Sequence, residues 1–155
     1  MDALTVAFDT PATPDVRALL ERHFALMRAG SPEESCHVMD PDALLERNVV
    51  LVAARDTEGT VLGVGALSVI ALGHGELKSM HTAAEARGKG VAQAVLAALI
   101  KTARKQGIAQ LSLETGSADM FAPARALYAR NGFALCPPFG DYSTDPLSVF
   151  MTRAL

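Results

Sequence analysis

Apolar positions alternate weakly over Leu4 to Phe8, which reads as a strand, and then change to helical spacing through Leu19, Leu20, Phe24 and Met27. Thr13 is placed as an N-cap with Pro14 at the first helical position, and Gly30 as the stop after Ala29. A polar loop over Ser31 to His37 follows, and Asp40-Pro41 caps a short second helix through Arg47. Val49 to Ala54 and Val61 to Leu72 are β-rich runs joined by Asp56-Thr57-Glu58-Gly59, an antiparallel hairpin. Gly73-His74-Gly75 then turns into a fourth strand, Glu76 to Thr82. Val91 to Gln106 puts Val91, Val95, Leu99 and Ala103 on one helical stripe. A fifth strand over Leu111 to Thr115 leads to a helix from Pro123 to Asn131, closed by Gly132. Phe133 to Leu135 and Leu147 to Thr152 supply two last strands around a loop running from Cys136 to Tyr142.

Two strand-helix-strand passages plus a hairpin predict a mixed α/β sheet, with ligands favoured at the carboxyl ends of its strands. Between the fourth strand and the long helix lies Arg87-Gly88-Lys89-Gly90-Val91-Ala92. The first amides of a helix have no partner within it and the helix dipole leaves that end partly positive, so anions bind there. Gly88 and Gly90 tolerate positive φ and let a pyrophosphate approach the backbone. The spacing is neither that of a P-loop nor that of a dinucleotide fold, which weakens a generic ATP-phosphate reading.

The R-x-x-G-x-A pattern over Arg87 to Ala92 resembles the [QR]-x-x-G-x-[GA] signature of the GNAT superfamily of acetyl-CoA-dependent N-acetyltransferases. Ala124-Arg125-Ala126-Leu127-Tyr128-Ala129-Arg130-Asn131-Gly132-Phe133 matches the family's A-x-x-L-Y-x-x-x-G-F helix ending. Glu76 stands eleven residues before Arg87, where several members carry a glutamate. The resemblance is firm from Gly75 to Phe133. It implies an α/β fold with a twisted, mixed, mostly antiparallel sheet of about six to seven strands, the fourth and fifth splayed apart, and about four flanking helices. It also implies acetyl-CoA as cosubstrate, with Met80, His81 and Thr82 along the pantetheine arm. Gly88, Gly90, Val91 and Ala92 would then hold the pyrophosphate, with Arg87 and Lys89 beside them. Phe121 departs from the pattern, because many members have an asparagine there that contacts pantetheine. Ser117 or Asp119 would have to substitute, though both read more simply as turn residues.

Acetyl transfer needs a neutral amine. At pH 7 only roughly one in 2,500 molecules of an amine with pKa about 10.4 is neutral, a cost of about 4.6 kcal/mol. A positioned base relieves much of that cost, and Glu76 is the candidate; the alternative is an exposed strand charge or a salt-bridge partner. Tyr128 is the candidate acid toward the departing thiolate, and the alternative is a core tyrosine. His74, next to Gly75, could relay a proton. His23, His37 and His81 read by default as surface or loop residues, with no metal spacing, and the methionines as gap fillers.

Composition narrows the function without changing the fold. The 155 residues suit a single domain, half of them hydrophobic, and a net charge of −3 with interspersed signs offers no footprint for nucleic acid or a membrane surface. Cys36 and Cys136 are isolated, which points to reduced thiols in a cytoplasmic protein. The acceptor expected is a primary amine on a small molecule, or else a protein amine, and Glu33 and Glu34 form an acidic loop that could attract it. A homodimer is expected from the resemblance, and no metal. The competing reading is a CoA-binding module that senses without turnover.

Overall fold

The computed structural model describes residues 3–30 and 49–155. Their elements in chain order are β1 (Thr5–Asp9), α1 (Pro14–Gly30), β2 (Val49–Arg55), β3 (Val61–Ala71), β4 (His74–Thr82), α2 (Val91–Lys105), β5 (Gln110–Gly116), α3 (Ala122–Arg130), β6 (Ala134–Leu135) and β7 (Ser148–Ala154). One seven-stranded sheet runs β1-β2-β3-β4-β5-β7-β6. Every neighbouring pair is antiparallel except β4 and β5, which α2 joins as a parallel crossover. The mixed, mostly antiparallel sheet therefore matches the expectation. The loop at Ser31 to His37 and the helix through Arg47, with Glu33, Glu34, Cys36, His37 and Met39, lie outside the described residues.

The long helical stripe is buried as its spacing requires: Val91, Val95, Leu99 and Ala103 all face the sheet. That face of β3 is nearly flat because its inward positions include glycines. A Cβ at Gly63 would come within 2.5 Å of Val91 Cγ1, and one at Gly65 within 2.6 Å of Met80 Sδ and 2.7 Å of Val95 Cγ1. The helix backbone approaches the strand only because those side chains are missing. Val64, Ala66 and Ser68 point the other way, toward α1, whose Val16, Leu19 and Leu20 are buried. Arg55 clamps the start of α1 to the end of β1, with Nη1 2.5 Å from Asp15 Oδ2 and Nη2 3.3 Å from Asp9 Oδ2. The Thr13 hydroxyl donates to Asp9 Oδ1 at 2.7 Å.

Boundaries shift where local hydrogen bonds intervene. The hairpin turn before β4 is confined to Leu72-Gly73, with Gly73 at φ 73°, so His74 and Gly75 already belong to the strand. Phe133 N–H bonds the Tyr128 carbonyl and Gly132 N–H that of Ala129, closing α3 before β6 can begin. Leu147 donates to Asp145 Oδ1 and accepts from Ser117 N–H, which delays β7 to Ser148.

Pairing between β4 and β5 covers only His74↔Gln110 to Leu77↔Leu113, although both strands continue. Just past that point β4 carries a bulge. Ala66 pairs with Lys78 and Val64 with His81, so three steps on β4 oppose two on β3, and Ser79 takes φ 53°. A bulge bends its strand and raises local twist, and here it turns β4 away from β5. The expected splay is this fork. Gly65→Ala is expected to lower unfolding free energy by about 1–3 kcal/mol through overpacking against Val95 and Leu99, measured by denaturant titration. Unaltered stability would mean that the approach of α2 to β3 is not set by that glycine.

Candidate active site

The fork's mouth is continuous with the glycine-rich turn. After Thr82, Ala83 N–H bonds the Leu62 carbonyl, a single 3₁₀ turn covers Ala84–Ala86, and Arg87 is extended. Gly88 (φ 77°) and Gly90 (φ 80°) are left-handed, and Gly90 caps α2 without any side-chain hydrogen bond. A Cβ at either glycine would meet nothing within 4 Å. Backbone conformation, not crowding, therefore demands glycine there, and the space in front of the first amides of α2 is open. No acidic residue stands in that first turn.

A cleft of about 560 Å³ runs from this turn along β4 to α3. Of the positions assigned to a cofactor from sequence, Met80, His81, Thr82, Arg87, Gly88, Gly90, Val91 and Ala92 line it, and Lys89 does not. Leu127 and Tyr128 form its far wall. Gln93 and Asn131 hold the two helices together through reciprocal amide hydrogen bonds of 3.0 and 2.9 Å. Phe121 also lines the cleft, with its ring against Gly116, where a Cβ would lie 2.1 Å from it. An apolar ring thus takes the place of a polar side chain. Ser117 does not substitute for it, because its hydroxyl donates to the Pro146 carbonyl at 2.7 Å. Asp119 opens a 3₁₀ turn.

Tyr128 is 6% exposed, and its ring meets Phe133 edge-on at 5.9 Å. Burial, and then the charge of Glu114, push its phenol well above the usual range, so the phenol remains a proton donor. Glu76 is 4% exposed and lies outside the cleft lining, on the α1 face of the sheet with Lys78 and Ser112. Its Oε2 accepts from the Tyr142 hydroxyl at 2.5 Å and from Lys78 Nζ at 3.2 Å. The exposed-charge alternative is therefore excluded, while the salt bridge is present. His74 Nε2 is 2.7 Å from Ser112 Oγ, which in turn lies 2.9 Å from Thr152 Oγ1, so the hydrogen bond of His74 runs to Ser112. Phe139, Tyr142 and Phe150 form an aromatic cluster over this face, with centroids 5.2–5.9 Å apart.

Sequence reasoning missed several groups here. Glu114, on β5 just beyond the last β4–β5 pair, has its carboxyl pushed up to about 7 by burial and by the neighbouring Glu76 charge. Alternation within Leu111-Ser112-Leu113-Glu114 was the available signal, because it puts Glu114 on the face shared by Ser112 and Glu76. Tyr142 and Lys78 carried no such signal. His23 was expected at the surface, yet it is 8% exposed on α1, with its Nδ1 3.2 Å from His81 Nδ1. One ring must donate and the other accept. Among the described residues, no group of three or more metal-ligating side chains occurs, and no helix is long and apolar enough to cross a membrane.

Both imidazoles are pushed down from 6.5 to about 4, His23 by burial and then by His81, His81 by burial and then by Arg87 and Arg22. The unfolded chain then binds protons that the folded chain refuses between about 6.5 and about 4. Stability is complete above the upper limit and falls as pH drops toward the lower one. Each ring contributes at most about 1.4 kcal/mol per pH unit, and the more exposed His81 less. Melting temperature measured from pH 7 to 4 should fall, and His23→Leu should flatten that fall; parallel curves would remove the pair as its cause.

A family model described as the acetyltransferase (GNAT) family matches residues 15–133. The chain is 44% identical over 140 residues to the uncharacterized N-acetyltransferase YsnE of Bacillus subtilis (strain 168), covering 90% of this chain and 92% of that protein. A solved structure of a proposed acyl-CoA N-acyltransferase from Klebsiella pneumoniae superposes with TM-score 0.79 at 32% identity, over 98% of this chain and 97% of the other. The PaiA N-acetyltransferase of Thermoplasma acidophilum, solved in complex with coenzyme A, shares the fold with TM-score 0.71 at 18% identity, over 99% of each chain.

Proposed function

The chain belongs to the GNAT family of acetyltransferases, and from that premise we propose that it passes the acetyl group of acetyl-CoA directly to a primary amine. The acceptor is a small molecule or, failing that, a protein amine. The observation that carries this reading is the fork: a cleft ending at Tyr128 opens on one side of it, and the buried carboxylate of Glu76 stands on the other. The α2 amides and the two left-handed glycines suit the diphosphate of coenzyme A, and Met80 to Thr82 offer strand backbone to its pantetheine arm. The cofactor then enters along α2 and α3, and the amine meets it from the α1 face.

Glu76 is the proposed base, taking a proton from the acceptor nitrogen directly or through water, with the two donors on Oε2 fixing its orientation. Tyr128 is the proposed acid at the sulfur. The bulge at Ser79 and Met80 leaves backbone there outside the β3 register, beside the fork, where an amide can face the developing oxyanion. A free Cys136 thiol suits a cytoplasmic setting. The competing module reading draws on the engagement of Glu76 Oε2 by Tyr142 and Lys78.

Gly90→Asp puts a charge and a strained φ at the proposed diphosphate seat. It should weaken acetyl-CoA binding by at least about tenfold in calorimetry, equivalent to ~1.4 kcal/mol, in a protein that still folds. Normal binding would move the cofactor elsewhere. Glu76→Gln should lower kcat by about 10²- to 10⁴-fold in a thiol-release assay over an amine panel, with acetyl-CoA affinity nearly unchanged. Wild-type rates in that variant would take Glu76 out of the mechanism, and cofactor binding without release for any amine would favour the module.

A further inference from the structure

The carboxylate proposed as base is engaged through one oxygen only. Both donors that reach Glu76 converge on Oε2, the Tyr142 hydroxyl at 2.5 Å and Lys78 Nζ at 3.2 Å, and a carboxylate oxygen offers two lone-pair sites. Oε2 is therefore full. Oε1 takes no hydrogen bond or ion pair among the described residues, where the fully buried side-chain oxygens left unpartnered are those of Ser79 and Ser148. Oε1 thus keeps some accessible surface, although Glu76 as a whole is 4% exposed.

The hydrogens fix the sense of the contact. Lys78 Nζ also donates to the Tyr142 oxygen at 3.4 Å, so the single phenolic hydrogen is left to point at Oε2. Burial, and then the charge of Glu76, push that phenol well above its usual range, and it stays a donor. Tyr142 is itself held: its N–H bonds the Phe139 carbonyl, and its ring packs against Phe139 and Phe150 at 5.2 and 5.4 Å. Ser117 Oγ ties the same segment down at the Pro146 carbonyl. The other charged group beside Glu76 is Glu114 on β5, itself in the field of Lys78 and Asp145.

We propose that Tyr142 is a positioning residue of this site, locking Glu76 by Oε2 so that Oε1 is the atom that takes the acceptor's proton. This rests on the transferase reading above. Net, R–NH₃⁺ and acetyl-CoA become R–NH–COCH₃, CoA–SH and one proton, as the C–N bond forms and the C–S electron pair leaves with sulfur. Of the two protons lost from nitrogen, one passes to Oε1, directly or through water, and on to solvent; the other balances the one that sulfur takes up. A carboxylate free to rotate would meet the nitrogen in the right orientation only part of the time, and holding one oxygen aims the other. The contact that favoured a silent module then belongs to a working base.

Tyr142→Phe removes the hydroxyl and keeps the ring in its cluster. It should lose about 10- to 100-fold in kcat with KM for acetyl-CoA unchanged. Because Tyr142 acts through Glu76, adding Tyr142→Phe to Glu76→Gln should cost nothing further, whereas multiplied losses overturn the proposal. In protein with ¹³C-labelled glutamate carboxyls and no substrate, the resonance absent from Glu76→Gln should titrate at higher pH in Tyr142→Phe than in wild type, since a donor to the ionised form is gone. A wild-type kcat or an unmoved titration overturns the proposal. In crystals of the wild-type protein with CoA and an acetylatable amine, the nitrogen or its bridging water should lie within about 3.2 Å of Oε1, and a nitrogen on Oε2 with Tyr142 displaced overturns it. Wild-type protein that binds acetyl-CoA but acetylates no amine sinks the transferase reading by itself, because the titration needs no turnover.

Discussion

The site depends on a ladder that stops early. Four parallel pairs hold β4 to β5, from His74↔Gln110 to Leu77↔Leu113, and then each strand runs on alone at what is topologically the middle of a sheet. Backbone groups there require partners as firmly as any others, and an interior strand edge is a template for an extended ligand. The extra residue in β4 makes the separation obligatory: with Ala66 fixed opposite Lys78 and Val64 opposite His81, the intervening Ser79 and Met80 leave the pleat. Ser79 accepts a φ that a non-glycine residue seldom adopts, a strain of order 1–3 kcal/mol that the surrounding ladder must outweigh.

The fork also separates two electrostatic environments. On its α2 side are uncapped helix amides, left-handed glycines and an apolar wall that includes Leu127 and Phe121. On its α1 side are Glu76, Lys78 and Ser112, roofed by Phe139, Tyr142 and Phe150. Mixing the two would set carboxylates against the seat of an anion. The two lie on either side of the point where pairing ends at Leu77 and Leu113, and Leu26 and Met27 of α1 also line the cleft.

Much of this was legible because it is local. The stripe from Val91 to Ala103 predicted the buried face of α2, and the need for positive φ before a helix singled out Gly88 and Gly90. The contacts missed were long-range. Tyr142 reaches Glu76 across 66 positions and His23 reaches His81 across 58, and neither pairing leaves a periodicity in the chain. Glu114 was missed for another reason: alternation gave its face, but only the point where β4–β5 pairing ends shows why that face matters. Lys89 was assigned to the cofactor by its neighbours in the motif, and one residue's difference in direction on the turn leaves it outside the cleft.

The donors around Glu76 explain how a carboxylate is held in the sheet interior. Lys78 and Tyr142 converge on the same oxygen, Oε2, so the carboxylate is held in one orientation by groups from its own strand and from the segment roofing it. A buried carboxylate needs such partners, and the ammonium of Lys78 offsets its charge on the same face. Glu114 stands in the field of that same ammonium, but burial first, and then the charge of Glu76, disfavour its ionised form. The register of the two strands puts both carboxyls on one face of the sheet, at the end of the β4–β5 pairing.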